Sequence, residues 1–118
     1  MKKIDKTEEQ TIESVRETLR NLFPDFPKWE KQFAPRPLPV IQVEGKYAVL
    51  RPITAKEVSQ FSMSVAAGNG LDDACRYLME ELWLGGDNEL RDDEEYFIAA
   101  MLQVQRIMEV KKSFFWQV

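Results

Sequence analysis

The residues in this sequence that could carry chemistry are its carboxylates and one thiol. The densest acidic cluster is Asp92-Asp93-Glu94-Glu95. Paired carboxylates can act as general acid and base, but only when they converge on one point. Consecutive helical residues point in different directions, so these four cannot converge without partners from elsewhere in the fold. They stand just ahead of an apolar-periodic stretch, where acidic residues suit the positive end of a helix dipole. Asp87-Asn88 lacks the alternating oxygen ligands and closing glutamate of an EF-hand loop. Gly68-Asn69-Gly70 lacks the glycine spacing and lysine of a phosphate cradle. The one cysteine, Cys75, shares a helical face with Leu71, Leu78, Met79 and Leu82, so a buried structural thiol is expected. Histidine is absent, which removes the usual general base near neutral pH and the commonest transition-metal ligand. These observations predict a non-enzymatic protein with no catalytic residue, no metal site and no cofactor.

The elements that would hold such side chains can be read from periodicity. Thr7 and Gln10 have capping-box spacing, and Ile12, Val15, Leu19 and Leu22 then recur on one helical face. Five of the six prolines fall between residues 24 and 39. Proline fixes φ and removes a donor, so this stretch reads as an extended connector, interrupted by Phe26, Trp29 and Phe33. Those aromatics either pin the connector to the domain or dock on another chain. Beta-branched and aromatic residues at 40–44 and 47–51 flank Gly45-Lys46 and predict a β-hairpin. An isolated hairpin is marginal in water, so it must pack on helices or gain strands from a partner.

Three further helices are expected. Thr54-Ala55-Lys56-Glu57 is a second capping box, followed by Val58, Phe61 and Val65. Gly68-Asn69-Gly70 ends that helix, and Asp72-Asp73 opens the next, which Gly85-Gly86 closes. The last carries a stripe of Phe97, Met101, Val104 and Met108, widened by Ile98, Leu102 and Ile107. The prediction is a mainly α (α+β) fold: a small domain of three to four helices with one β-hairpin. Residues 1–39 form an N-terminal helix and proline-rich connector, and residues 40–118 the hairpin plus helical domain.

Composition bounds the partners. At 118 residues the chain suits one modest core. A net charge of −4 repels phosphate backbones, so nucleic acid is not expected as a partner. No apolar run approaches the roughly 20 residues of a spanning helix, so no membrane partner is expected either. The stretch MKKIDKTEEQ has no apolar run behind its lysines, and one cysteine asks for no oxidising compartment, so a cytoplasmic location is expected. The five methionines, Met1, Met63, Met79, Met101 and Met108, suit either core filling or an adaptable binding surface. The C-terminal Ser113-Phe114-Phe115-Trp116-Gln117-Val118 is unusual, because termini are commonly polar. Three adjacent aromatics cannot share one helical face. They either cap the core under the hairpin or mark a contact with a partner or another copy.

The run Tyr47-Ala48-Val49-Leu50-Arg51-Pro52-Ile53-Thr54-Ala55-Lys56-Glu57 resembles phage tail assembly chaperones, in which a short strand ending in an Arg-Pro-hydrophobic-Thr turn leads into a helical domain. The likeness covers roughly residues 40–110; the N-terminal helix and proline segment have no counterpart in it. The resemblance implies a phage or prophage protein that coats the tape-measure protein and keeps its apolar helices soluble until tail-tube subunits replace them. It implies self-association along that client. It also implies a longer form made by ribosomal frameshifting, for which the codons of Lys111-Lys112 or Phe114-Phe115 are candidates. Binding of that kind needs an exposed apolar stripe with acidic residues around it. The residues expected to make the contact are Phe114, Phe115 and Trp116, with Phe61 and Trp83. A small acidic regulatory adaptor, binding another protein through the proline–aromatic segment, is the alternative.

Overall fold

The computed structural model describes residues 2–109, with side chains from 12 to 107. Two compact units divide at residue 37 and are taken in turn.

The first unit is a pair of helices. Helix α1 runs Lys2–Leu22, so Thr7 lies inside it rather than capping it. Its periodic face is only partly covered: Leu19 is buried, whereas Ile12 and Leu22 are exposed. Helix α2, Phe26–Phe33, occupies the centre of the segment expected to be extended. The correction has a physical reason. Pro27 sits in the first turn, where a missing N–H costs nothing. Phe26, Trp29 and Phe33 are spaced three and four apart, as a helical face requires. Phe26 is buried with the Trp29 ring edge-on at 6.4 Å. The Arg20 guanidinium donates to both oxygens of Glu30, at 3.1 and 3.3 Å, and ties α1 to α2.

The second unit is built on a three-stranded antiparallel sheet in the order β1-β2-β3. Strands β1 (Val40–Val43) and β2 (Lys46–Leu50) form the expected hairpin. The loop is Glu44-Gly45 rather than Gly45-Lys46, since Val43 pairs with Lys46. Both loop residues have positive φ, 48° and 80°, the turn whose twist matches the flanking strands. Strand β3, Trp83–Gly86, pairs with β2, so the hairpin gains its third strand from its own chain.

Helices α3 (Ala55–Ala66) and α4 (Leu71–Leu82) follow the capping signals closely. A single turn, α5 (Glu89–Asp92), precedes α6 (Glu94–Glu109). The described residues thus form six helices and three strands, not three to four helices and one hairpin. The mainly helical α+β character stands. The core joins the sheet to α4, α5 and α6 through Ile41, Ala48, Leu50, Leu78, Leu82, Leu90, Phe97 and Val104. Cys75 belongs to it, and burial pushes its thiol up to about 11, which leaves it protonated and inert at neutral pH. Among the described residues, no helix is long and apolar enough to cross a membrane.

Candidate protein-binding surface

The surface begins at the junction where β2 hands over to α3. Arg51 follows the last residue of the strand, and its backbone N–H donates to Leu82 O at 2.8 Å, which ties the junction to the end of α4. Pro52 stops the ladder. Thr54 begins α3, and Glu57 reaches back over it in the capping box. One oxygen, Glu57 Oε1, accepts from Thr54 N–H at 2.9 Å, Thr54 Oγ1 at 2.8 Å and Arg51 Nη1 at 2.9 Å. The second Arg51 nitrogen lies 3.7 Å from Glu81 on α4. Glu57 is 1% exposed. Burial alone raises a carboxyl's pKa, but the hydrogen bonds from Arg51 and Thr54 outweigh it and hold Glu57 at about 2. The motif that carried the resemblance is therefore a charged clasp that fixes the first turn of α3 against the sheet and α4.

Beyond Lys56, helix α3 held by this clasp presents an outer surface of small, uncharged residues flanked by apolar ones. Val58 and Val65 are exposed on one flank, and Met63, 64% exposed, points away from the core. Of the methionines expected to be core or surface, Met79 is buried and Met63 lies on the surface.

A second apolar surface lies on α6. Phe97, Ala100 and Val104 face the core, while Ile98 and Leu102, one turn apart, are 52% and 60% exposed. The wide stripe in the sequence hides two surfaces, one buried and one bare. The opposite flank of α6 covers β1. Gln103 Oε1 accepts from Gln42 N–H at 3.1 Å, and Gln103 Nε2 donates to Gln42 O at 2.7 Å. A side-chain amide thus takes the place a neighbouring strand would occupy, which blunts the edge of the sheet. Gln103→Ala is expected to cost about 1 kcal/mol. It should also raise the tendency to aggregate at high concentration, read as light scattering on heating.

The residues expected to make contacts fall in different places. Phe61 is half-buried on the inner side of α3 and packs against the core. Trp83 is half-buried in β3, with the Arg91 guanidinium 4.0 Å above its ring. The two are therefore largely occupied within the fold. Phe114, Phe115 and Trp116 lie outside the described residues. Among the described residues the bare apolar side chains of the second unit are Val58, Met63, Val65, Leu71, Ile98 and Leu102, which periodicity assigned to a core or left open; Leu71, expected on the core face of α4, stands exposed at its first turn. One signal for α3 was present in the sequence: residues 58–71 contain no charged residue.

The acidic cluster serves local structure. Asp93 Oδ1 accepts from Glu95 N–H at 3.0 Å and so caps α6, and Glu94 pairs with Arg76 at 2.8 Å. Asp92 helps line an open recess of about 340 Å³ with Arg76, Met79, Glu80, Arg91 and Phe97. Arg76 lies 4.0 Å over the Phe97 ring, so both guanidiniums of the recess are stacked on aromatics. Among the described residues, no three potential metal ligands come together.

No protein-family model, curated protein or solved structure matches the chain.

Proposed function

We propose that this is a non-enzymatic protein-binding protein, a phage or prophage tail assembly chaperone that keeps the tape-measure protein soluble in the host cytoplasm during tail assembly. The observation that best supports the reading is the bare Ile98–Leu102 surface on α6. Large aliphatic side chains in adjacent turns suit an amphipathic client helix, which docks through residues one turn apart. The net charge of −4 keeps such a surface dispersed. The same reading assigns Phe114, Phe115 and Trp116 to the client, on the strength of the resemblance and of three adjacent aromatics that cannot share one helical face.

The test is co-purification of the tagged chain with the tape-measure protein encoded beside it. Association is expected. It should weaken at least tenfold in Ile98→Asp/Leu102→Asp, since two central apolar anchors commonly carry that much binding. Both positions are more than half exposed, so the circular dichroism spectrum and melting should stay near wild type. A folded double variant that binds the client unchanged would remove α6 from the interface, and no association at all would remove the chaperone reading.

A further inference from the structure

Helix α3 carries a surface that the client reading does not use. Residues 58–71 hold no Asp, Glu, Lys or Arg, where the chain's 31% charged share would place about four. In α6 a similar charge-free run is explained by burial, because that helix packs on both α4 and β1. Helix α3 packs substantially on α4 alone. Its inner side is accounted for by Glu57, Phe61 and Ser64. The outer side consists of the small residues Ala55, Ser59, Ser62 and Ala66, all exposed, with Val58 and Val65 on one flank and Met63 on the other. A solvated helix gains from charge, whereas the centre of a protein interface is depleted in it.

We propose that α3 is a self-docking surface, packing antiparallel against α3 of a second copy about a twofold axis. Charge selects this occupant and this direction. Lys56 stands exposed in the first turn of α3, and Asp72 and Asp73 stand exposed just beyond its other end. Among the described residues none of the three has an ion-pair partner. Antiparallel packing brings Lys56 of each copy towards Asp72 and Asp73 of the other, twice over, and leaves the uncharged centre between them. Parallel packing would set like charges together. Elsewhere two copies of an acidic chain meet with net repulsion. The small outer residues permit close approach, and a twofold contact needs only this one self-complementary patch. One pair of 12-residue helices buries less than the roughly 1,200 Å² of a stable complex. The dimer is accordingly weak, with a Kd on the order of 100 μM.

Analytical ultracentrifugation of the full chain, from micromolar to millimolar concentration at low salt, tests this. A monomer–dimer equilibrium is expected. Met63→Lys should weaken it at least tenfold, and Ser59→Lys, on the same surface, should do likewise. Lys56→Glu should weaken it several-fold while leaving the monomer folded, because an acidic residue in a first helical turn is favourable. Adding Asp72→Lys and Asp73→Lys to Lys56→Glu should restore it. A chain that stays monomeric throughout overturns the proposal, as does association that survives both Met63→Lys and Ser59→Lys. Association insensitive to Lys56→Glu overturns the antiparallel arrangement. No client is present, so failure here leaves the chaperone reading standing, and failure of that reading leaves this one.

Discussion

Glu57→Ala is expected to lower the unfolding free energy of the second unit by about 2–3 kcal/mol. Breaking a buried pair commonly costs about 3–5 kcal/mol because it strands the other charge. Here the Arg51 side chain is 25% exposed and keeps Glu81 at 3.7 Å, so water recovers part of that cost. The variant also removes the acceptor for Thr54 N–H and Oγ1, and with it the cap of α3. Urea denaturation followed by far-UV circular dichroism measures the loss.

The same carboxylate sets an acid limit. Its folded pKa, about 2, lies below the ordinary value of 4.5. Ionised Glu57 therefore stabilises the fold fully above pH 4.5, and that contribution disappears as pH falls from there towards 2. The depression corresponds to about 3 kcal/mol at neutral pH. Glu57→Gln, which cannot ionise, should start less stable and show a flatter decline across this window. Parallel curves for wild type and Glu57→Gln would show that the clasp does not govern acid stability.

Gly86→Ala should have a still larger effect. Gly86 has φ of +148°, and a Cβ there would lie 2.6 Å from Ala48 Cα and against the Tyr47 carbonyl oxygen. Both obstacles are backbone of the adjacent strand, so no side chain can swing aside. Strand β3 would have to leave β2. That breaks the exchange in which Tyr47 N–H donates to Asp87 Oδ2 at 2.9 Å and Asp87 N–H donates to Tyr47 O at 2.8 Å. A loss of about 3–5 kcal/mol is expected. Gly45→Ala is the control. It also has positive φ, 80°, but nothing lies within 4 Å of the added atom, so strain alone costs it about 1 kcal/mol. Equal losses in the two variants would contradict the close approach of β3 to β2.

The elements with strong local signals were legible in the sequence. The box at Thr54 and Glu57 marked the start of α3, and Asp72-Asp73 the start of α4. Gly45 marked the hairpin, displaced by one residue because Glu44 shares the positive φ. Strand β3 was hidden, since Trp83-Leu84-Gly85-Gly86 follows a helix and carries two glycines, which favour helix termination over pairing. Gly86 is there because the backbone of Tyr47 and Ala48 lies too close for a Cβ. Helix α2 was hidden by the prolines in and around it, which outweighed the helical spacing of Phe26, Trp29 and Phe33. The clasp was half legible: the capping box was in the sequence, but Arg51 joining Glu57 and Glu81 is a tertiary contact. The exposed apolar surfaces were the least legible, because periodicity tells which side chains share a helical face but not how much of that face a neighbour covers. Ile98 and Leu102 look like core until α4 and β1 are seen to cover other sides of α6.

On the reading proposed above, the chain holds an apolar client in solution through the bare Ile98–Leu102 surface of α6. The most direct measurement is the soluble fraction of the tape-measure protein expressed alone, with the wild-type chain, and with Ile98→Asp/Leu102→Asp. The account predicts a client that is insoluble alone, soluble with the wild type in a complex that co-elutes, and insoluble again with the double variant. A client equally soluble in all three, or never recovered with the chain, would contradict it.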